Sequence, residues 1–233
     1  MKITKLLLVV LTLAMTLTSF AACTTEKGDT DVTQSENSGA CDMDAIEAEI
    51  DSMSISSFTE TTERTEFVKF TVTDYGEFVV RLRADIAPIT VDNFQNLVAE
   101  GFYDGLTFHR VKKDFVIQGG DPDGDGTGGS DKAIKGEFAQ NGVRNDLSHI
   151  MGVISMARLS SPLDSATSQF FICNAEGSYF LDGAYAGFGY VVAGMETVLL
   201  ISDAEVTYDA YGREKSVPLT KITMEKVCFV EKQ

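Results

Sequence analysis

The 233-residue chain has no tryptophan, only two histidines (His109 and His149), and 19 lysines and arginines against 35 aspartates and glutamates. So few histidines work against a zinc site, which draws on clusters of His and Cys, and no metal or cofactor is expected. A formal net charge of −16 argues against nucleic acid or an anionic membrane surface as partner, since both are polyanions. The excess of carboxylates reads instead as solubility and self-repulsion. The four cysteines do not form a disulfide framework: Cys23 is set apart below, and Cys41, Cys173 and Cys228 leave an odd remainder. A chain of this size holds a core without bridges. One Cys41–Cys228 bridge stays open, whereas Cys173, following Phe170-Phe171-Ile172, reads as a small core hydrophobe. No internal repeat and no second domain are visible.

Long apolar runs are also missing. The apolar stretch at residues 6–17 follows Lys2 and Lys5 and is too short for a span of about 20 residues. It reads as the core of an export signal covering residues 1–22. Phe20-Ala21-Ala22-Cys23 then resembles a bacterial lipobox, with Phe20 in place of the usual aliphatic residue. That predicts an exported protein, lipid-anchored through Cys23 to the outer face of a bacterial cell membrane. An ordinary secretory leader cut nearby is the alternative. Residues 23–65 read as a polar tether, because residues 24–40 carry almost no large apolar side chain. Within it, Met43, Ile46, Ile50 and Met53 recur at helical spacing and predict a short helix, followed by a polar linker over residues 54–65.

Residues 66–230 form the expected globular domain. Residues 67–73 and 78–82 alternate apolar and polar around Asp74-Tyr75-Gly76, an antiparallel hairpin. Pro88 suits the first turn of a helix whose buried face is Ile89, Phe94, Leu97 and Val98, with Gly101 ending it. Further strands are expected at residues 153–157, 169–173, 188–192 and 222–230, and a second helix at 195–201. Many short strands with two helices suit a mainly β fold closed into a capped antiparallel barrel.

The most informative stretch is Phe108-His109-Arg110-Val111-Lys112-Lys113-Asp114-Phe115-Val116-Ile117-Gln118-Gly119-Gly120-Asp121. It is followed by Ser168-Gln169-Phe170-Phe171-Ile172 and by Phe180-Leu181-Asp182-Gly183. These motifs, in this order, resemble the signature of the cyclophilins, the peptidyl-prolyl cis/trans isomerases, over residues 67–229. The resemblance implies a closed eight-stranded antiparallel β-barrel capped by two α-helices. It implies that Arg110 is the catalytic arginine and that Gln118 orients it. Phe115, Val116, Met156, Phe171 and Leu181 would wall the proline pocket. Ala157 and the backbone of Arg158 would flank an extended substrate, Gln169 would donate to its carbonyl, and Tyr185 would stand at the rim.

Two positions depart from the pattern. Val116 replaces the methionine often found there, and Phe180 stands where many members carry tryptophan. The indole N–H that bonds cyclosporin is therefore missing. These changes keep a rival open, a proline-peptide binding module with weak or no turnover. His109 falls on the strand face opposite Arg110, and bond rotation needs no proton transfer, so it reads as structural. Asp121-Pro122-Asp123-Gly124-Asp125-Gly126 matches the start of a calcium loop, but Lys132 stands where the closing acid belongs. The expected partners are proline-containing segments of unfolded or exported proteins, bound by a monomer.

Overall fold

Alternation in the sequence becomes a sheet with one face on the core. The structure, a computed structural model, describes residues 41–233. The signal segment 1–22, Cys23 and tether residues 24–40 lie outside the described residues. Among the described residues eleven strands form: β1 (Phe58–Glu60), β2 (Phe67–Val72), β3 (Gly76–Leu82), β4 (Arg110–Lys112), β5 (Val116–Gly119), β6 (Val153–Met156), β7 (Phe170–Cys173), β8 (Gly187–Ala193), β9 (Val206–Tyr208), β10 (Lys215–Pro218) and β11 (Met224–Lys232). The α-helices are α1 (Met43–Glu49), α2 (Pro88–Ala99) and α3 (Met195–Ser202).

The predicted hairpin is β2–β3, where Phe70 lies opposite Phe78 and their rings stack at 4.6 Å. This pair opens an aromatic core that also holds Phe94 of α2, Tyr103, Phe108, Phe170 and Phe188, all fully buried. Offset and edge-on contacts such as Phe94–Phe170, at 5.9 Å and 90°, add specific geometry to that burial.

The expected closed eight-stranded barrel is not what forms. Nine strands make one sheet in the order β1-β11-β2-β3-β8-β6-β7-β5-β4, and β9 and β10 pair separately. Its end strands, β1 and β4, do not pair. One edge of β11 is taken by β2, and the far end of its other edge by β1, at Val230 to Lys232. The segment before β4 can therefore meet only the first residues of that edge. It does so at Met224, whose O accepts Gly105 N–H at 2.7 Å and whose N–H donates to Leu106 O at 2.8 Å, and just before β11 through a Thr107–Thr223 bridge and Phe108 N–H donating to Ile222 O at 2.9 Å.

The two expected capping helices form as α2 and α3 and the expected short helix as α1, but the N-terminal segment is not a free tether from residue 42 onward. Ile46 of α1 is buried with Phe67, Val79, Val153, Tyr190 and Val230, and Ile50, Met53, Ile55 and Phe58 pack on the same cluster. Arg81 Nη1 donates to both Glu49 oxygens at 2.9 Å, and Tyr190 Oη donates to Glu49 at 2.5 Å. Asp51 Oδ1 accepts Met195 N–H at 3.0 Å, supplying the cap that Gly194 cannot give α3. The linker expected at 54–65 contains β1, because Ile55 and Phe58 have apolar neighbours to join.

Helix α2 starts at Pro88 and ends before Gly101, which adopts φ +67° as predicted. Its buried face is Thr90, Val91, Phe94, Leu97 and Val98, whereas Ile89, expected inside, is 43% exposed. Five positions from Phe94 is roughly 140° around a helix, so Ile89 cannot share its face. The buried Glu137 accepts the backbone N–H groups of Ile89 and Thr90 at 3.1 and 2.8 Å, satisfying the helix start.

Candidate active site

Strand alternation puts the core on one side of β5, β7 and β6 and a shallow cavity on the other. In the β4–β5 hairpin, Arg110 lies opposite Gln118 and Lys112 opposite Val116, while Val111 and Ile117 point into the core. Gln118 pairs in turn with Phe171, and Val116 with Cys173, so these share the outer face. Asp114, at φ 56°, turns the hairpin and delivers Phe115 to the rim. Asn174 braces that turn: its Oδ1 accepts Phe115 N–H at 2.6 Å and its Nδ2 donates to Lys112 O at 3.1 Å.

The result is a cavity of about 240 Å³ lined by Arg110, Phe115, Val116, Gln118, Ala157, Arg158, Phe171, Phe180, Leu181 and Tyr185. Its floor is apolar, with Val116, Phe171, Cys173 and Leu181 forming a buried cluster of their own. Burial pushes the Cys173 thiol up to about 12, which keeps it a neutral hydrophobe. Among the described residues Cys41, Cys173 and Cys228 form no bridge. Phe180, 73% exposed, stacks on Phe115 at 5.5 Å. Tyr185 meets Phe171 edge-on at 5.6 Å. The Arg158 guanidinium packs 4.8 Å from the Phe138 ring and 4.9 Å from that of Tyr185, while its Nε donates to Ala184 O.

Met156 does not reach the cavity. It lies opposite Phe170 on the inner face, 1% exposed within the main core, whereas Ser155 takes the outer face opposite Phe171. Gln169 also stands outside the cavity lining but joins it through a hydrogen bond. Arg110 Nη1 donates to Gln118 Oε1 at 3.2 Å, Gln118 Nε2 donates to Gln169 Oε1 at 2.9 Å, and Gln169 Nε2 donates to Gly128 O at 2.7 Å. This relay ties the arginine to the glycine-rich loop and to an adjoining depression of about 480 Å³. In that loop the Asp121 carboxylate accepts the N–H groups of Asp123, Asp125 and Gly126.

Three groups at the site carry no local signal in the sequence. Glu214, just before β10, accepts Arg110 Nε at 2.6 Å and Nη2 at 3.0 Å, and the arginine holds its carboxyl below the usual range. Asn174 is the second. His149 is the third: its Nδ1 meets Asp182 at 2.7 Å, its Nε2 meets Ser155 Oγ at 3.0 Å, and its ring stacks behind Phe171 at 5.9 Å. That order of groups resembles a serine-hydrolase relay, but Ser155 is completely buried and no substrate could meet it. Burial, outweighing the pull of Asp182, holds the His149 pKa below its ordinary value. The unit is therefore a brace for the Phe171 wall. His109 is also buried and held down by burial, with neither ring nitrogen partnered among the described residues.

Comparison with known proteins gives the family. The family model for cyclophilin type peptidyl-prolyl cis-trans isomerase/CLD matches residues 67–228. The chain is 40% identical over 150 residues to a peptidyl-prolyl cis-trans isomerase of Acinetobacter baylyi, covering 63% of this chain and 76% of that one. Over 137 residues it is 42% identical to peptidyl-prolyl cis-trans isomerase B of Bacillus subtilis, covering 59% and 91%. Among solved structures, a Cryptosporidium parvum cyclophilin type isomerase crystallised in the presence of the dipeptide Ala-Pro superposes with a TM-score of 0.61. That match is at 28% identity and covers 70% of this chain and 98% of that chain.

Proposed function

The chain belongs to the cyclophilin family of peptidyl-prolyl cis/trans isomerases, and from that premise we propose that Arg110 drives X–Pro rotation in exported client proteins. The reaction breaks no covalent bond. It is slow because amide resonance sets a barrier of about 18–20 kcal/mol. A catalyst must favour the twisted amide over both planar forms. Twisting frees the proline nitrogen lone pair, so a donor aimed at that nitrogen strengthens selectively in the transition state.

One observation carries this reading: Arg110 lines the rim of the apolar cavity with N–H groups to spare. Its protein partners take Nε, one N–H of Nη1 and one of Nη2. An N–H on each terminal nitrogen is left for a substrate. Val116, Phe171 and Leu181 supply the apolar bed for the proline ring, with Phe115 at the rim. The ring is held by burial and the amide is polarised by charge, so binding and catalysis rest on different residues. Gln118 orients the arginine.

Arg110→Ala should remove about two to three orders of magnitude of turnover, the usual worth of a preorganised transition-state donor. Arg110→Lys should recover little, because an ammonium lacks the planar fork. Exchange NMR on a proline peptide, with circular dichroism as the check on folding, reads both. A folded Arg110→Ala protein with near-parental turnover would overturn the assignment.

The envelope location rests on the leader and on Ala21-Ala22-Cys23. On this reading Cys23 carries the lipid, and the domain meets its clients as they emerge outside the membrane.

A further inference from the structure

Glu214 holds Arg110 from a part of the chain 104 residues away. It immediately precedes β10, in a hairpin whose turn is tied down by Asp209. The Asp209 carboxylate accepts the N–H groups of Tyr211 and Arg213 at 3.1 and 2.7 Å, and the backbone N–H of Asp209 donates to the backbone O of Glu214 at 2.8 Å. The carboxylate is thus presented from a braced turn. Both its oxygens are engaged, one on Nε and one on Nη2, in the parallel fork that fixes the plane of a guanidinium as well as its position. The pair is partly shielded, the two side chains being 29% and 31% exposed.

An arginine held only by Gln118, at 3.2 Å, could still swing about its long side chain. The fork removes that freedom before substrate arrives, which is where preorganisation acts. We propose that Glu214 is a positioning residue of the isomerase, locking the Arg110 guanidinium so that its unused N–H groups stay at the rim of the proline pocket. This rests on the reading of Arg110 as the donor to the proline nitrogen. Glu214 lines no part of the cavity, so its effect should fall on turnover and spare the binding of the ring.

The test uses the full chain and a proline peptide followed by exchange NMR. Glu214→Gln keeps the shape but loses the charge and one acceptor of the fork. It should lower kcat about ten-fold, the scale of a hydrogen bond to a charged group, with KM within about two-fold of the parent. The pH profile separates positioning from mere structure. The groups facing the carboxylate are Arg110 and Lys112 of β4 and Ser216 of β10. Its ionised form is favoured, so parental kcat should hold through neutral pH and fall only as the solution is acidified through that depressed titration. The Glu214→Gln profile should lack that fall. A folded Glu214→Gln protein with parental kcat and parental pH profile, or with a raised kcat, overturns the proposal. If Arg110→Ala retains turnover, both readings fall together; if it loses turnover while Glu214→Gln does not, only the role of Glu214 fails.

Discussion

Arg110 and Phe180 mark opposite regimes at the site. The arginine is fixed by three side-chain hydrogen bonds, whereas Phe180 projects into solvent and touches the site through its stacking on Phe115. A change at Phe180 should therefore tune ligand affinity without disturbing the fold. Phe180→Trp restores an indole donor at the rim and should tighten cyclosporin binding about three- to ten-fold, the value of one added hydrogen bond. Equal affinity of the two forms, measured by calorimetry, would remove the argument. The strand residues were legible in the sequence through the motif that resembles the family's, and the strand pairing bears that grouping out: Arg110, Val116, Gln118 and Phe171 fall together on one side. Met156 was carried over from the family motif, but strand alternation turns it inward and gives the outer face to its neighbour Ser155. Glu214 and Asn174 were not legible. Each acts across a long loop on a partner far along the chain, and no local period records such a pairing.

At the level of elements, α1 shows how a weak sequence signal becomes a firm contact. Four apolar residues at helical spacing predicted a short helix, but nothing local said whether it would dock. Docking depends on an apolar patch formed by β2, β3, β6, β8 and β11, which exists only once the sheet is assembled. Truncating its anchor, Ile46→Ala, should cost about 2–5 kcal/mol, the range for removing a buried isoleucine side chain. Urea unfolding should show the loss while turnover of the folded fraction stays parental, because Ile46 is no part of the site. An unchanged midpoint would mean that α1 merely rests on the body. The open sheet is a second lesson at this scale. Strand count and closure depend on which edge of β11 each neighbour takes, and hydrophobic pattern does not encode edges.

The whole molecule carries its acid sensitivity in several places at once. His109 and His149 are kept neutral by burial, below their ordinary 6.5. The carboxyls of Asp85 and Glu214 are held down by Arg83 and Arg110, and Glu60 is lowered to about 2 by Lys226 and Lys69. The signs agree. On acidification the unfolded chain takes up protons at each of these groups before the native state does, so stability drains in one direction. Urea midpoints should hold steady from roughly pH 7 to 8, fall first on acidification as the histidine range near 6.5 is crossed, and fall again through the carboxylate range. A midpoint flat from neutrality to about pH 5 would show that the histidines contribute nothing. Location is tested on the same scale: Cys23→Ser should shift the protein from the membrane fraction to the soluble exported fraction. A mutant that sediments with membranes as firmly as the parent would end the lipoprotein reading.

The β5–β7 pair has a further consequence for how the chain can change. Ile117 packs the interior while Val116 and Gln118, its neighbours on either side, face the cavity; Phe170 and Ile172 pack the interior while Phe171 between them faces out. The ribbon is read twice, once from each side, and the two messages are interleaved letter by letter. A single inserted or deleted residue in it would swap them, driving an amide into the aromatic core and an isoleucine into the pocket. Drift along these strands is therefore restricted to letter-for-letter exchange, and any variation in loop length must be absorbed elsewhere, in the segments that join them.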